Sequence, residues 1–161
     1  MSESTQYRFR VTQSEDVEVT SEGEILELQL RSVTPVPLMV WSSPKEWVAT
    51  DCNGYTRSVR RTRRFPAPQF AIAKGSETLA TIQCTHLLRT RYVINLADGA
   101  SWVFRMPLFR ADYLGSSSQG RSLYVSAWRE NLWDLFVDVD QSSQDLLTAI
   151  ACIFLARWQS T

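Results

Sequence analysis

The stretch SSQDLLTAIACIFLARW, residues 142–158, decides the fold. Ser142 can cap a helix, and Asp145 suits the positive end of the helix dipole. From Leu146 to Ala156 there is no charge, no glycine and no proline. At about 100° per residue, Leu146, Leu147, Ile150, Ile153, Phe154 and Leu155 cover half of the circumference. Thr148, Ala149, Cys152 and Ala156, all small, fill the other half. A helix on the outside of a sheet shows a charged outer face; this one shows none before Arg157. Its apolar part spans about 16 Å, against about 30 Å of hydrocarbon in a bilayer. The burial must therefore be inside the protein, and no membrane span is expected. An antiparallel sheet curled around the helix would cover it and close its own edges.

The chain before the helix supplies such a sheet. Tyr7, Phe9 and Val11 alternate with Arg8, Arg10 and Thr12, and Leu26, Leu28 and Leu30 alternate with Glu27 and Gln29. This period of two marks half-buried strands. Ser21-Glu22-Gly23 reads as a turn, and Pro35-Val36-Pro37 interrupts any central strand. Gly54, Gly75, Gly99 and Gly120 then recur at near-even spacing between runs rich in Val, Ile, Thr and aromatics. Asn53-Gly54 and Asp98-Gly99 are hairpin signals. A last strand, NLWDLFVDVD, places Trp133, Leu135, Val137 and Val139 on one face. The expected fold is mainly β: an antiparallel β-barrel enclosing a C-terminal hydrophobic α-helix at about 143–158. Residues 1–6 are expected to form a flexible N-terminus, and 7–161 a single domain.

Composition agrees with one globular core. Hydrophobic residues make up 44% of 161 residues, with six Trp, five Tyr and seven Phe. The net charge of zero hides a division. Residues 1–56 hold four basic and nine acidic side chains, 57–121 eleven and three, and 122–161 two and five. A basic middle between acidic ends can bind anions or pair with those ends. Cys52, Cys84 and Cys152 are odd in number and lack CxxC spacing, which argues against a disulfide framework and a zinc site. Cys152 reads as a small buried hydrophobe. MSESTQYRFR lacks the apolar core of a signal peptide, so a reducing, cytoplasmic location is expected.

The run from RYVINLADGASWVF to LWDLFVDVDQSSQDLLTAIACIFLARW resembles the tubby-like superfamily, which includes the tubby C-terminal domain, the phospholipid scramblases and the LURP-one-related proteins. The resemblance extends from Tyr7 to Trp158 and is one of pattern rather than diagnostic motif. It implies a strand barrel around the C-terminal helix. It also implies a lipid connection: tubby domains bind phosphoinositide head groups through basic side chains, and scramblase relatives bind calcium near the last helix. The apolar helix here is shorter than the scramblases', and neither end carries a lipidation signal.

Arg57, Arg60, Arg61, Arg63 and Arg64 fall within eight positions. Guanidinium forks suit phosphate oxygens, so these five are the candidate anion-binding residues. Strict alternation puts Arg57, Arg61 and Arg63 on one face and Arg60 and Arg64 on the other. One set must then lie at a rim, in a bulge, or beside acids such as Glu24 or Glu27. The bland reading is a solvated edge strand or internal pairing. Asp138, Asp140 and Ser142 match the start of a calcium loop, and Asp134 and Asp145 flank them. The required Gly is missing and Ala149 stands where a closing Glu belongs, so no metal site is expected. His86 and Cys84 share a strand face, but no third group completes a catalytic set.

Neither a phosphate loop, a nucleophile elbow, a zinc-protease motif nor a dinucleotide fingerprint is present. The leading expectation is a non-enzymatic binding module for phospholipid head groups or other anionic ligands, without a cofactor. The alternative is a structural or protein-interaction domain with no small ligand and an unidentified protein partner. Nucleic acid is disfavoured because the chain as a whole is not basic. A hollow, ligand-carrying barrel of the lipocalin kind keeps its helix outside, and an all-round apolar helix speaks against it.

Overall fold

The computed structural model describes residues 4–12, 16–21, 25–33, 46–63, 68–85, 91–105, 113–118, 122–129, 132–138 and 144–159. These form β1 (Ser4–Val11), β2 (Val17–Ser21), β3 (Ile25–Val33), β4 (Glu46–Asp51), β5 (Thr56–Arg63), β6 (Gln69–Lys74), β7 (Glu77–Cys84), β8 (Arg91–Leu96), β9 (Ser101–Arg105), β10 (Tyr113–Ser117), β11 (Ser122–Arg129), β12 (Leu132–Asp138) and α1 (Gln144–Gln159). The protein is mainly β, an antiparallel sheet followed by one C-terminal helix.

Each strand pairs with its neighbours in sequence. β1 pairs with β2 on one side and β12 on the other, so the pairing order returns to its first strand. β1 begins at Ser4, three residues before the expected Tyr7. Ser4, Thr5 and Gln6, expected in the flexible N-terminus, sit opposite Asp138, Val137 and Phe136. The ladder offered by β12 holds them there, because an unpaired strand edge leaves backbone donors and acceptors idle.

Gly54, Gly75 and Gly99 have φ of 83°, 61° and 93° and lie at the tips of the β4–β5, β6–β7 and β8–β9 hairpins. The expected turns at Ser21-Glu22-Gly23 and Gly120, and the cap at Ser142, involve residues outside those described. Two strands go beyond the alternation read from sequence. β2 carries only Val17 and Val19 as buried apolar residues. β10, YLGSS, is short and carries a glycine where its neighbour needs room. A Cβ added at Gly115 would stand 2.5 Å from Phe104 Cε1.

The alternation read from sequence sorts the side chains. Leu28 and Leu30, Trp47 and Ala49, Phe70 and Ile72, Tyr92 and Ile94, and Trp102 and Phe104 all point to one buried cluster. The same cluster includes the helix from Leu146 to Ala156, where no residue is more than 2% exposed. That figure shows that the helix has no solvent face over this stretch. α1 packs against β1, β2 and β3 and also against β6, β7 and β8, two separate arcs of the strand order. Phe9 and Phe154 meet edge to face with ring centroids 5.1 Å apart. Thr148 is fully buried, and its hydroxyl donates to the Gln144 carbonyl at 2.7 Å, so its polar group is satisfied inside the helix.

Candidate functional site

The arginine run lies on β5, but its faces are not those of simple alternation. Arg57 sits opposite Ala49, Val59 opposite Trp47 and Ile72, and Arg61 opposite Phe70. These belong to the row turned towards the core. The register then shifts between Arg61 and Arg63, and Arg63 comes opposite Gln69. A bulge adds one residue and reverses which face the next side chain takes. Arg63 therefore leaves the Arg57–Arg61 face, contrary to the alternation, and joins Arg60 on the outer side. Arg60 and Arg63 are exposed, and Arg57 and Arg61 are half-buried. Arg64 lies outside the described residues.

Arg57 is held by acids. Its Nε stands 2.7 Å from Asp145 Oδ1 and its Nη1 is 3.4 Å from Asp51 Oδ2. The Asp145 contact is an ion pair whose N–H is not aligned as a hydrogen bond. Glu24 lies outside the described residues, and Glu27 accepts instead from the Ser21 hydroxyl at 2.9 Å. Arg57 is thus met by Asp51 and Asp145. Arg60 Nε approaches Glu46 at 3.9 Å with both side chains more than half exposed, a loose surface pair.

Asp51 has a double task that its place in the Asp51-Cys52-Asn53-Gly54 turn signalled only in part. Its Oδ1 accepts from the backbone N–H of Asn53 at 2.9 Å and of Tyr55 at 3.0 Å, which fixes the hairpin turn. Its Oδ2 faces Arg57. The pairing of Arg57 with Asp145 had no local sequence signal, because 88 positions separate the partners and only the packing of the helix against the strands brings them together.

Asp134 and Asp138 fall on β12, Asp140 lies outside the described residues, and Asp145 is engaged by Arg57. Among the described residues no three His, Cys, Asp or Glu side chains gather as a metal-holding group. Cys84 is buried on β7, and His86 lies outside the described residues. Cys152 is buried in α1, where burial pushes its thiol above the ordinary value. Cys52 is exposed. Its thiol is also raised, by desolvation first and then by the negative Glu27 and Asp51 beside it. No helix among the described residues is long and apolar enough to cross a membrane.

Among the described residues of the run, Arg57 is held by two carboxylates, and Arg60 and Arg63 lie on the exposed face. A scan of the chain against protein-family models and a search of the curated proteins both return no match.

Proposed function

We propose that this domain is a non-enzymatic binding module of tubby-like architecture, a barrel of antiparallel strands around its C-terminal helix, that takes anionic ligands bearing phosphate. The architecture is supported by a pairing order that returns to β1 and by a helix without a solvent face that touches two arcs of the sheet. The binding reading rests on one observation: the β5 bulge brings Arg60 and Arg63 to the same exposed outer face. Planar guanidinium groups on one exposed face suit a phosphate-bearing head group. The free cysteines support a reducing, cytoplasmic setting. Titrating the protein at low salt with inorganic phosphate and with phosphoinositide head groups tests the reading. Saturable binding that weakens with added salt supports it, and no binding up to millimolar ligand rejects it.

A second reading is favoured by Arg57, whose charge is matched by Asp51 and Asp145. It shows part of the basic middle pairing with the acidic flanks. If that is the whole purpose of the charge division, the domain is a structural or protein-interaction unit without a small ligand.

A further inference from the structure

Arg91 on β8 and Arg105 on β9 are direct cross-strand partners. Both are exposed, and both lie on the outer face, since the next residues inward, Tyr92 and Phe104, are buried. The Arg91 carbonyl accepts from the Thr85 N–H at 3.0 Å. The backbone polar groups of Arg91 therefore point towards β7 and away from β9. That makes Arg91–Arg105 a non-hydrogen-bonded pair, the closer of the two antiparallel kinds, with Cα atoms about 4.5 Å apart. Like charges placed directly opposite one another destabilise a sheet. Among the described residues no carboxylate pairs with either arginine. The next outer pairs along the strands, Val93 with Val103 and Asn95 with Ser101, are neutral.

We infer that Arg91 and Arg105 form an oxyanion clamp for a phosphate monoester. Each guanidinium offers two parallel N–H groups to two oxygens. A tetrahedral dianion can fill both forks and cancel their repulsion, whereas a single carboxylate fills one. β6 and β7 separate this pair from the arginines of β5, so the clamp stands independently of the reading above. The phosphate can belong to a soluble ligand or to a lipid surface, and the chemistry of recognition is the same.

The test is thermal melting and calorimetric titration of the full chain at low salt. The probes are inorganic phosphate and phosphatidylcholine vesicles with or without phosphatidic acid. Without phosphate, Arg91→Gln and Arg105→Gln should melt no lower than wild type, because each relieves the repulsion. With phosphate, wild type should gain stability, and each variant should bind about tenfold or more weakly. Arg60→Gln/Arg63→Gln should lose one phosphate site and keep the one that Arg91→Gln or Arg105→Gln weakens, which separates failure of the clamp from failure of the β5 site. A response to both soluble phosphate and acidic vesicles, or to one alone, supports the clamp and identifies the source. The clamp is overturned if both single variants retain the full phosphate response, or if wild type responds to neither probe.

Discussion

Arg57 Nε stands 2.7 Å from Asp145 Oδ1, so a strand from the middle of the chain is tied to the first turn of the C-terminal helix. Arg57 also reaches Asp51, whose side chain is only 5% exposed. One cation thus joins the β4–β5 turn to the start of α1. The strands alone do not fix where α1 starts, and the helix needs a fixed entry. The Arg57 contacts supply it at the point where the Asp51 turn is already held by two backbone donors.

Replacing Arg57 by Gln should lower stability by about 2–4 kcal/mol, since it leaves a nearly buried carboxylate without its counter-charge. Replacing Arg60 by Gln should change stability by less than about 1 kcal/mol, because its partner Glu46 is loose and exposed. Urea unfolding of the two variants gives the comparison. Equal effects would show that the inner and outer arginines are not divided as described.

Ile150→Asp should abolish folding. Ile150 is 1% exposed in the middle of α1, and an unpaired charge there costs several kcal/mol, comparable to a total stability of roughly 5–15 kcal/mol. Circular dichroism and melting of the variant check this. A soluble, cooperatively melting Ile150→Asp protein would contradict the burial of the helix.

Gly115→Ala should destabilise the protein by about 1–3 kcal/mol, as overpacking does. The added methyl would press on the Phe104 ring, which is itself buried and stacked near Trp102. Phe104→Leu made together with Gly115→Ala should recover part of the loss, measured by chemical denaturation as a double-mutant cycle. Additive losses would mean that the ring is not the obstacle.

Thiol labelling of the native protein near neutral pH should modify Cys52 alone. It should do so more slowly than a small free thiol, because the raised value leaves less thiolate. The rate should rise as pH increases. Cys84 and Cys152, both buried, should react only on unfolding. Fast labelling of Cys152 in the native state, read by mass spectrometry, would show that the helix opens.

The helix and most of the strands were legible because their signals are local. Leu146–Ala156 has no charged position at any angle, and Trp47, Ala49, Phe70, Ile72, Tyr92 and Ile94 hold to a period of two. β2 and β10 were not legible, because each carries too few apolar positions to show the period. The arginines were legible as a cluster but not as two faces. A bulge between Arg61 and Arg63 obeys cross-strand register, which no single strand's sequence displays. The partners of Arg57 and the opposition of Arg91 to Arg105 depend on pairing in the same way.

The division of β5 into a locked inner arginine and displayed outer ones is tested most directly by one paired measurement. Melting temperature and phosphoinositide head-group affinity at low salt should be measured for wild type, Arg57→Gln and Arg60→Gln/Arg63→Gln, each also carrying Arg91→Gln/Arg105→Gln so that only the β5 site reports. The division predicts that Arg57→Gln melts several degrees lower, yet binds head group as wild type does below its melting point. The outer double variant should melt nearly as wild type does and lose about tenfold or more in affinity. Retained affinity in the outer double variant, or loss of affinity in a folded Arg57→Gln, would contradict it.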